Sequence, residues 1–139
     1  MIIADTGFFV ALANRADDDH EIAVDALDGL AEGLITTWPV ITETTHLLAT
    51  RLGTQSLLSF VAGARAGAFS LFELTVTHWP RLEELMKQYA KLPMDLADAS
   101  LVILAEERND GRILSTDRRD FRTYRWKSRK PFQNLLDLD

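Results

Sequence analysis

Residues 96–115, Leu-Ala-Asp-Ala-Ser-Leu-Val-Ile-Leu-Ala-Glu-Glu-Arg-Asn-Asp-Gly-Arg-Ile-Leu-Ser, decide the fold. Apolar side chains cover most of the circumference of a helix predicted over Leu96–Arg108, and Asn109-Asp110-Gly111 ends that helix. A short strand over Arg112–Ser115 follows directly. A helix that is apolar on most sides is buried, so this unit indicates a helix packed between other elements and leading into a strand.

The rest of the chain repeats this alternation. Further strands are predicted over Ile2–Asp5, Leu34–Trp38, Phe69–Leu74 and, less distinctly, Leu135–Leu138. Helices are predicted over Phe8–Asn14, His20–Glu32, Pro39–Leu52, Thr54–Ala66 (with Thr54 as cap) and Trp79–Lys91. Strands alternating with helices favour parallel pairing and right-handed crossovers. We therefore expect an α/β three-layer sandwich with a central, mostly parallel sheet flanked by helices.

Composition bounds the remaining choices. The 139 residues contain no linker or repeat, so a single domain over residues 1–139 is expected. Because there is no cysteine, disulfides and thiolate metal sites are excluded, and a cytoplasmic location is expected. No segment approaches the roughly 20 apolar residues that span a bilayer, and the N-terminus does not resemble a signal peptide. No membrane partner is expected.

Two acids fall on helix faces that point inward. Asp98 lies within the apolar helix, where a carboxylate is costly to bury unless it is paired, hydrogen-bonded or metal-bound. Glu43 shares a helical face with Val40 and Leu47, although its carboxylate could also reach water. Asp95 lies one turn before Asp98, where a first-turn acid that favours the helix dipole is an equally good explanation.

Two further acids follow predicted strands. Asp5 comes directly after the first strand and Asp117 after Ser115-Thr116, and each could instead be a helix N-cap. Asp120 could simply pair with a neighbouring arginine. In parallel sheets ligands bind beyond the carboxyl ends of the strands, so the combination of these acids indicates a common pocket there.

Gathered carboxylates need a counter-ion. Two of them about 4 Å apart repel by roughly 4 kcal/mol at an effective dielectric near 20, so either some stay protonated or a cation neutralises them. Oxygen ligands favour Mg²⁺ or Mn²⁺ over zinc, while the three histidines are scattered and are more readily explained by packing or surface positions. Such an ion can activate water and stabilise a phosphate, which is what phosphodiester hydrolysis requires. The hydroxyls of Thr6 and Ser115 could orient the acids.

The basic residues are concentrated near the C-terminus. Residues 112–130 hold eight of the fifteen and only two acids, so this stretch carries +6 while the remainder carries −12 of the net charge of −6. We name it the basic strip: Arg112, Arg118, Arg119, Arg122, Arg125, Lys127, Arg129 and Lys130. With Phe121, Tyr124 and Trp126 available to stack on bases, it favours a polyanion such as RNA over a merely soluble surface or an acidic protein partner.

Four short motifs together resemble the PIN domain, and more narrowly the VapC-type toxins of bacterial toxin–antitoxin modules. They span the chain in order: Ile3-Ala-Asp5-Thr-Gly, Thr42-Glu43, Leu92-Pro-Met-Asp-Leu-Ala-Asp98-Ala and Ile113-Leu-Ser-Thr-Asp117-Arg-Arg-Asp-Phe121. The resemblance implies a catalytic, metal-binding quartet at Asp5, Glu43, Asp98 and Asp117. It implies supporting hydroxyls at Thr6 and at Ser115 or Thr116, and leaves the roles of Asp95 and Asp120 open.

The same resemblance implies a PIN-like fold, a homodimer, a cognate antitoxin and cleavage of RNA by a metal-activated water. Arg118, Arg119, Arg122 and Arg125 are then the candidates for RNA binding. Two alternatives stay open: a housekeeping PIN nuclease that processes RNA without an antitoxin, and a non-catalytic nucleic-acid-binding module. A phosphatase of the haloacid dehalogenase type is disfavoured because Gly7 stands where it would need a second aspartate.

Overall fold

A computed structural model describes residues 1–137 and contains short strands alternating with helices. The strands are β1 Ile2–Ala4, β2 Leu34–Thr37, β3 Ser70–Phe72, β4 Arg112–Leu114, β5 Arg125–Trp126, β6 Lys130–Pro131 and β7 Gln133–Asn134. The helices are α1 Thr6–Ala13, α2 His20–Asp28, α3 Trp38–Arg51, α4 Thr54–Arg65, α5 Trp79–Gln88, α6 Leu96–Arg108 and α7 Arg118–Thr123, with a 3₁₀ turn at Val76–His78. Across residues 1–137, no helix combines the length and the hydrophobicity that a bilayer crossing requires.

The central sheet has five parallel strands in the order β3-β2-β1-β4-β7. The chain builds outward from β1 to β2 and β3 on one side, and then returns to place β4 and β7 on the other side. The strand order therefore reverses between β1 and β4, which is where ligands bind in open parallel sheets. Helices flank the sheet, so the predicted three-layer α/β sandwich is confirmed.

Helix α6 anchors this arrangement, since it packs against β1, β2, α3 and α5. All residues from Ala99 to Ala105 are buried, as the apolar sequence on every side of the helix predicts. Each fully buried Leu, Ile or Val in it contributes on the order of 1.5–3 kcal/mol relative to exposure. Asn109, with a left-handed φ of 54°, ends the helix where the sequence predicted.

Several element ends differ from the prediction by a few residues. Strand β1 stops at Ala4 because Asp5 already caps α1, which consequently begins at Thr6 rather than Phe8. Helix α2 ends at Asp28 instead of Glu32, since residues 29–33 form a turn that leads into β2. Helix α4 is preceded by Gly53 with φ 102°, so Thr54 is its first residue and not its cap.

The C-terminal quarter departs furthest from the prediction. Helix α7 and the antiparallel β5–β6 hairpin were not predicted, because a helix of six residues, four of them charged, and strands of two residues carry too little periodicity. The last strand lies at Gln133–Asn134 rather than at Leu135–Leu138, and Leu138 is outside the described residues. Strand β7 pairs with β4 through Arg112 and Ile113.

The predicted base-stacking role of three aromatic residues is wrong. Phe121, Tyr124 and Trp126 are buried in the core, where Phe121 and Tyr124 make an edge-to-face contact with ring centroids 5.1 Å apart. Trp126 packs so closely on Gly111 that a Cβ there would lie 2.2 Å from its Nε1. The amphipathic α7 and the hairpin turn these rings inward, a local geometry that the one-dimensional charge pattern does not reveal.

Candidate active site

A pocket of about 590 Å³ lies at the switch point between β1 and β4. Eight acids line it: Asp5, Asp17, Asp19, Glu43, Asp95, Asp98, Asp117 and Asp120. We call this the carboxylate pocket. All four acids of the predicted quartet lie in it, together with the two additional acids at 95 and 120 and the supporting Thr6 and Thr116.

Three helix N-termini carry acids into the pocket. Asp5 caps α1 by accepting a 2.7 Å hydrogen bond from the Thr6 amide, and Asp95 caps α6 with a 2.8 Å bond from the Asp98 amide. Asp117 caps α7, accepting from the Asp120 amide at 3.4 Å. Capping therefore explains part of these positions and is compatible with a site, because helix N-termini favour nearby negative charge.

Asp5 is the most enclosed acid, with 5% of its surface exposed. Its Oδ2 accepts a 2.7 Å hydrogen bond from the Ser115 hydroxyl, whose oxygen in turn accepts from the Asp117 amide at 3.0 Å. Burial raises the pKa of Asp5 to about 6; the bonds from Ser115 and Thr6 lower it, and the nearby charge of Glu43 raises it further. Ser115 thus holds the side chain of Asp5 and the backbone of Asp117 in place.

Asp98 is held by a residue that sequence reasoning assigned elsewhere. The buried Tyr124 donates a 2.7 Å hydrogen bond from its hydroxyl to Asp98 Oδ2. Burial, followed by the charge of Asp5, raises the pKa of Asp98 to about 8, although the Tyr124 bond opposes the shift. The available signal was chemical: a tyrosine in a buried position needs a partner for its hydroxyl.

A tighter group forms around Asp98 on the side of α7. Single carboxylate oxygens of Asp98, Asp117 and Asp120 lie within 4.8 Å of one another, close enough to ligate one cation. Burial, together with the hydrogen bond and charge of Asp120, raises the pKa of Asp117 to about 6. Asp120 therefore belongs to the acidic site and is not explained by a simple pairing with arginine.

Three other predicted residues complete the pocket wall. Glu43 reaches it from α3 and is half-buried, as its helical face predicts. Within residues 1–137, the buried Thr6 hydroxyl has no hydrogen-bond partner. Thr116 lies against Gly7, where a Cβ would come within 1.9 Å of its Oγ1. Only glycine allows this contact between the two chain segments that follow β1 and β4.

The residues present fit a divalent cation. Burial first, and then the neighbouring acids, raise the pKa of Asp5, Asp98 and Asp117 and disfavour their charged forms. Among residues 1–137, the Thr6 hydroxyl supplies a further buried oxygen without a protein partner. All of these ligands are hard oxygens, the set preferred by Mg²⁺ and Mn²⁺.

Sequence reasoning missed several residues at the site. Asp17 and Asp19, from the loop before α2, line the pocket, as do His46 and Arg51 from α3. The spacing of His46 and Arg51 from Glu43, near one and two helical turns, was the available signal. Asn134 lies behind the site, where its side chain bonds both the amide and the carbonyl of Ser115.

The basic strip does not form one continuous cationic surface. Arg118 pairs with Asp19 at 3.0 Å, Arg122 with Asp137 at 2.5 Å, and Arg125 donates to carbonyls at the end of α7. Arg119 is exposed, and within residues 1–137 it makes no hydrogen bond or ion pair through its guanidinium. Most of these cations therefore already serve the fold.

Fold and site together define an α/β protein with a carboxylate-lined pocket at the switch point of a parallel sheet. The chain belongs to the PIN domain family, which matches residues 2–127. The chain also resembles the VapC-type toxins within this family. Ribonuclease VapC26 of Mycobacterium tuberculosis is 28% identical over 124 residues, covering 89% of this chain and 92% of that protein.

The fold similarity extends to a solved structure. The crystal structure of Mycobacterium tuberculosis VapC20, a sarcin–ricin loop cleaving toxin, superposes with a TM-score of 0.78. It is 20% identical to this chain and covers 84% of this chain and 90% of its own. At this identity the superposition establishes the shared architecture.

Proposed function

We propose that this protein is a Mg²⁺-dependent endoribonuclease, with Mn²⁺ as a possible substitute, and the toxin of a toxin–antitoxin pair. The observation that carries the proposal is the convergence of Asp5, Glu43, Asp98 and Asp117 in one pocket, with three of these acids at raised pKa. Similarity to a ribonuclease over nearly the whole chain supports the choice of RNA as substrate.

The four quartet acids would hold the ion, with Asp120 as an additional ligand beside Asp98 and Asp117. When bound, a divalent cation supplies a Lewis acid that stabilises charge on the phosphate and lowers the pKa of water. The protein's part is to hold the carboxylates in place. Tyr124 donates to Oδ2 of Asp98, and Ser115 donates to Oδ2 of Asp5, so each of these carboxylates has one oxygen held by a hydroxyl.

The phosphate backbone would be contacted by arginines of α7 and of the strand that follows it. Arg119 is best suited because its guanidinium is exposed and unpaired within residues 1–137. Arg118, Arg122 and Arg125 would each have to exchange a present hydrogen-bond partner for a phosphate. Arg51 adds an exposed cation to the pocket wall. These contacts would position RNA beside the acids.

Cleavage of unstructured and structured RNA with Mg²⁺, Mn²⁺ or EDTA tests the proposal. We expect activity with either ion, none with EDTA, and a loss of at least about 100-fold in Asp98→Asn, because Asn keeps the shape but removes ligand charge. Asp25→Asn, on the exposed surface of α2, is the matched control and should retain activity. Wild-type rates in Asp98→Asn, after removal of contaminating nucleases, would refute the assignment.

The toxin role and the homodimer are tested separately. Expression should arrest growth, and co-expression of a neighbouring gene product should relieve the arrest. Active enzyme without growth arrest would indicate a PIN nuclease that processes RNA. Sedimentation of the purified protein at twice the monomer mass of 15.6 kDa would support the homodimer.

A further inference from the structure

A second groove adjoins the carboxylate pocket, between the N-terminal turns of α3 and α6. Its volume is about 560 Å³. Glu43, His46 and Asp95 line both cavities, so the two are continuous. The other end of the groove is apolar and is formed mainly by Trp38 and Leu96. We call this second cavity the Trp38 groove.

The apolar residues of this groove are exposed and lie next to one another. Trp38 is 53% exposed and Leu96 is 41% exposed, and Pro39 continues the same surface. Single exposed apolar residues need no explanation, but a contiguous group beside a polar cleft marks a binding surface. Pro39 in the first turn of α3 also restricts the backbone that carries the indole.

We propose that the Trp38 groove is a nucleobase subsite, in which the indole of Trp38 stacks on an unpaired base next to the phosphate held at the carboxylate pocket. The proposal rests on the ribonuclease function proposed above and deepens it. Trp38 and Glu43 are five residues apart on α3, about 7.5 Å along the helix axis. This separation suits one nucleotide, with its base at Trp38 and its phosphate near Glu43.

The charge of the groove selects among possible occupants. The carboxylates of Glu43 and Asp95 stand at its polar end and would repel a phosphate or an acidic peptide lying in the groove itself, whereas a phosphate in the carboxylate pocket would have the proposed cation between it and the acids. A nucleobase is flat and uncharged, and its N–H groups can donate to these carboxylates while its face covers the indole. A base within a duplex has both faces covered, so the subsite selects an unpaired nucleotide.

Steady-state cleavage of a single-stranded oligoribonucleotide with Mg²⁺ tests the role of Trp38. Trp38→Ala should raise KM on the order of ten-fold, because stacking on an aromatic ring contributes that much affinity or more per base. Trp38→Phe should keep most of the affinity. Trp79→Ala is the matched control: Trp79 is 64% exposed and, like Trp38, precedes a proline at the start of a helix. An unchanged KM in Trp38→Ala would overturn the proposal.

Abasic substrates separate stacking from a structural effect. When one base at a time is removed around the cut, binding by the wild type should weaken only at the position that stacks on Trp38. Removal of that same base should not weaken binding by Trp38→Ala. Equal losses in both proteins at every position would contradict the proposal. So would a change of oligomeric state in Trp38→Ala, since this would identify the groove as a protein interface.

Tryptophan fluorescence makes failure of the subsite distinguishable from failure of the nuclease proposal. The same oligonucleotide should quench the fluorescence of Asp98→Asn, and this quenching should disappear when Trp38→Phe is added but persist when Trp79→Phe is added. Quenching without cleavage by the wild type would retain the subsite and reject the nuclease. Cleavage without any dependence on Trp38 would reject the subsite alone.

Discussion

Carboxyl groups have pKa values shifted in opposite directions in the carboxylate pocket and beside the basic strip. In the pocket, burial and the nearby charges of other acids raise the pKa of carboxyls from distant parts of the sequence, as at Asp98, where burial and then Asp5 bring it to about 8. In the strip, Arg112 bonds Glu32 and Asp110 and lowers the pKa of both carboxyls, that of Glu32 to about 2.

This difference teaches how to separate charge that serves the fold from charge that serves a ligand. An acid whose pKa is lowered by a neighbouring arginine has its counter-ion within the protein, and needs nothing further. An acid whose pKa is raised by burial and by other acids lacks that counter-ion. We therefore expect an external cation at the pocket, where our proposal places Mg²⁺, and not at the strip.

Neutralising an acid of the pocket should have the largest effect. Asp5→Asn should lower the rate of RNA cleavage about 1000-fold or more, because it removes ligand charge at the most enclosed position of the site. Asn retains an oxygen to accept from the Thr6 amide, so the fold should survive. Cleavage rates and circular dichroism, with Asp25→Asn alongside, measure the two effects. A rate within a few-fold of wild type would show that Asp5 is a structural cap only.

The pH dependence of stability should distinguish the two regions without any substrate. The pKa of Asp98 is raised from 3.8 to about 8, and that of Asp5 from 3.8 to about 6. Between pH 3.8 and about 8 the folded state therefore binds more protons than the unfolded state. The metal-free protein should consequently lose stability as pH rises from about 5 to 8. Glu32 and Asp110, with lowered pKa, act only at more acidic pH.

Denaturant unfolding in EDTA measures this loss. Asp98→Asn should flatten the slope and be more stable than wild type at pH 8, by about 2 kcal/mol. Mg²⁺ should stabilise the wild type more at pH 8 than at pH 5 and have little effect on Asp98→Asn. Wild-type stability that is constant or increasing from pH 5 to 8 in EDTA would contradict the raised pKa values.

The sheet and the carboxylate pocket could be predicted from the sequence more fully than the basic strip. The sheet and the pocket were predictable because buried strands and a wholly apolar helix have strong periodicity, and the acids at 5 and 117 follow strands whose ends must meet. The strip was misjudged because a run of basic residues does not indicate which of them are paired. Tyr124 was misassigned for the same reason, since its partner Asp98 is 26 residues away.

Tyr124→Phe should have a moderate effect within the pocket. It removes the hydrogen bond to Asp98 Oδ2 and keeps the ring that packs on Phe121 and Tyr89. We expect a stability loss of about 1 kcal/mol and a several-fold weaker Mg²⁺ activation, since the carboxylate loses its orientation and the bond that stabilises its charge. Phe121→Leu, which changes packing but no hydrogen bond, is the control. Unchanged Mg²⁺ titrations in Tyr124→Phe would assign the tyrosine to the core alone.

The smallest effect is expected within the strip, where two exposed arginines differ in their surroundings. Arg122 donates to Asp137, whereas the guanidinium of Arg119 is unpaired within residues 1–137. Arg119→Gln should weaken RNA binding a few-fold. It should also reduce the slope of log affinity against log salt by about the amount that one phosphate contact contributes. Arg122→Gln should change that slope less, because a phosphate would have to displace a carboxylate from this arginine. The reverse order would mean that RNA exchanges with the internal ion pairs of the strip, and that paired cations serve the ligand as readily as unpaired ones.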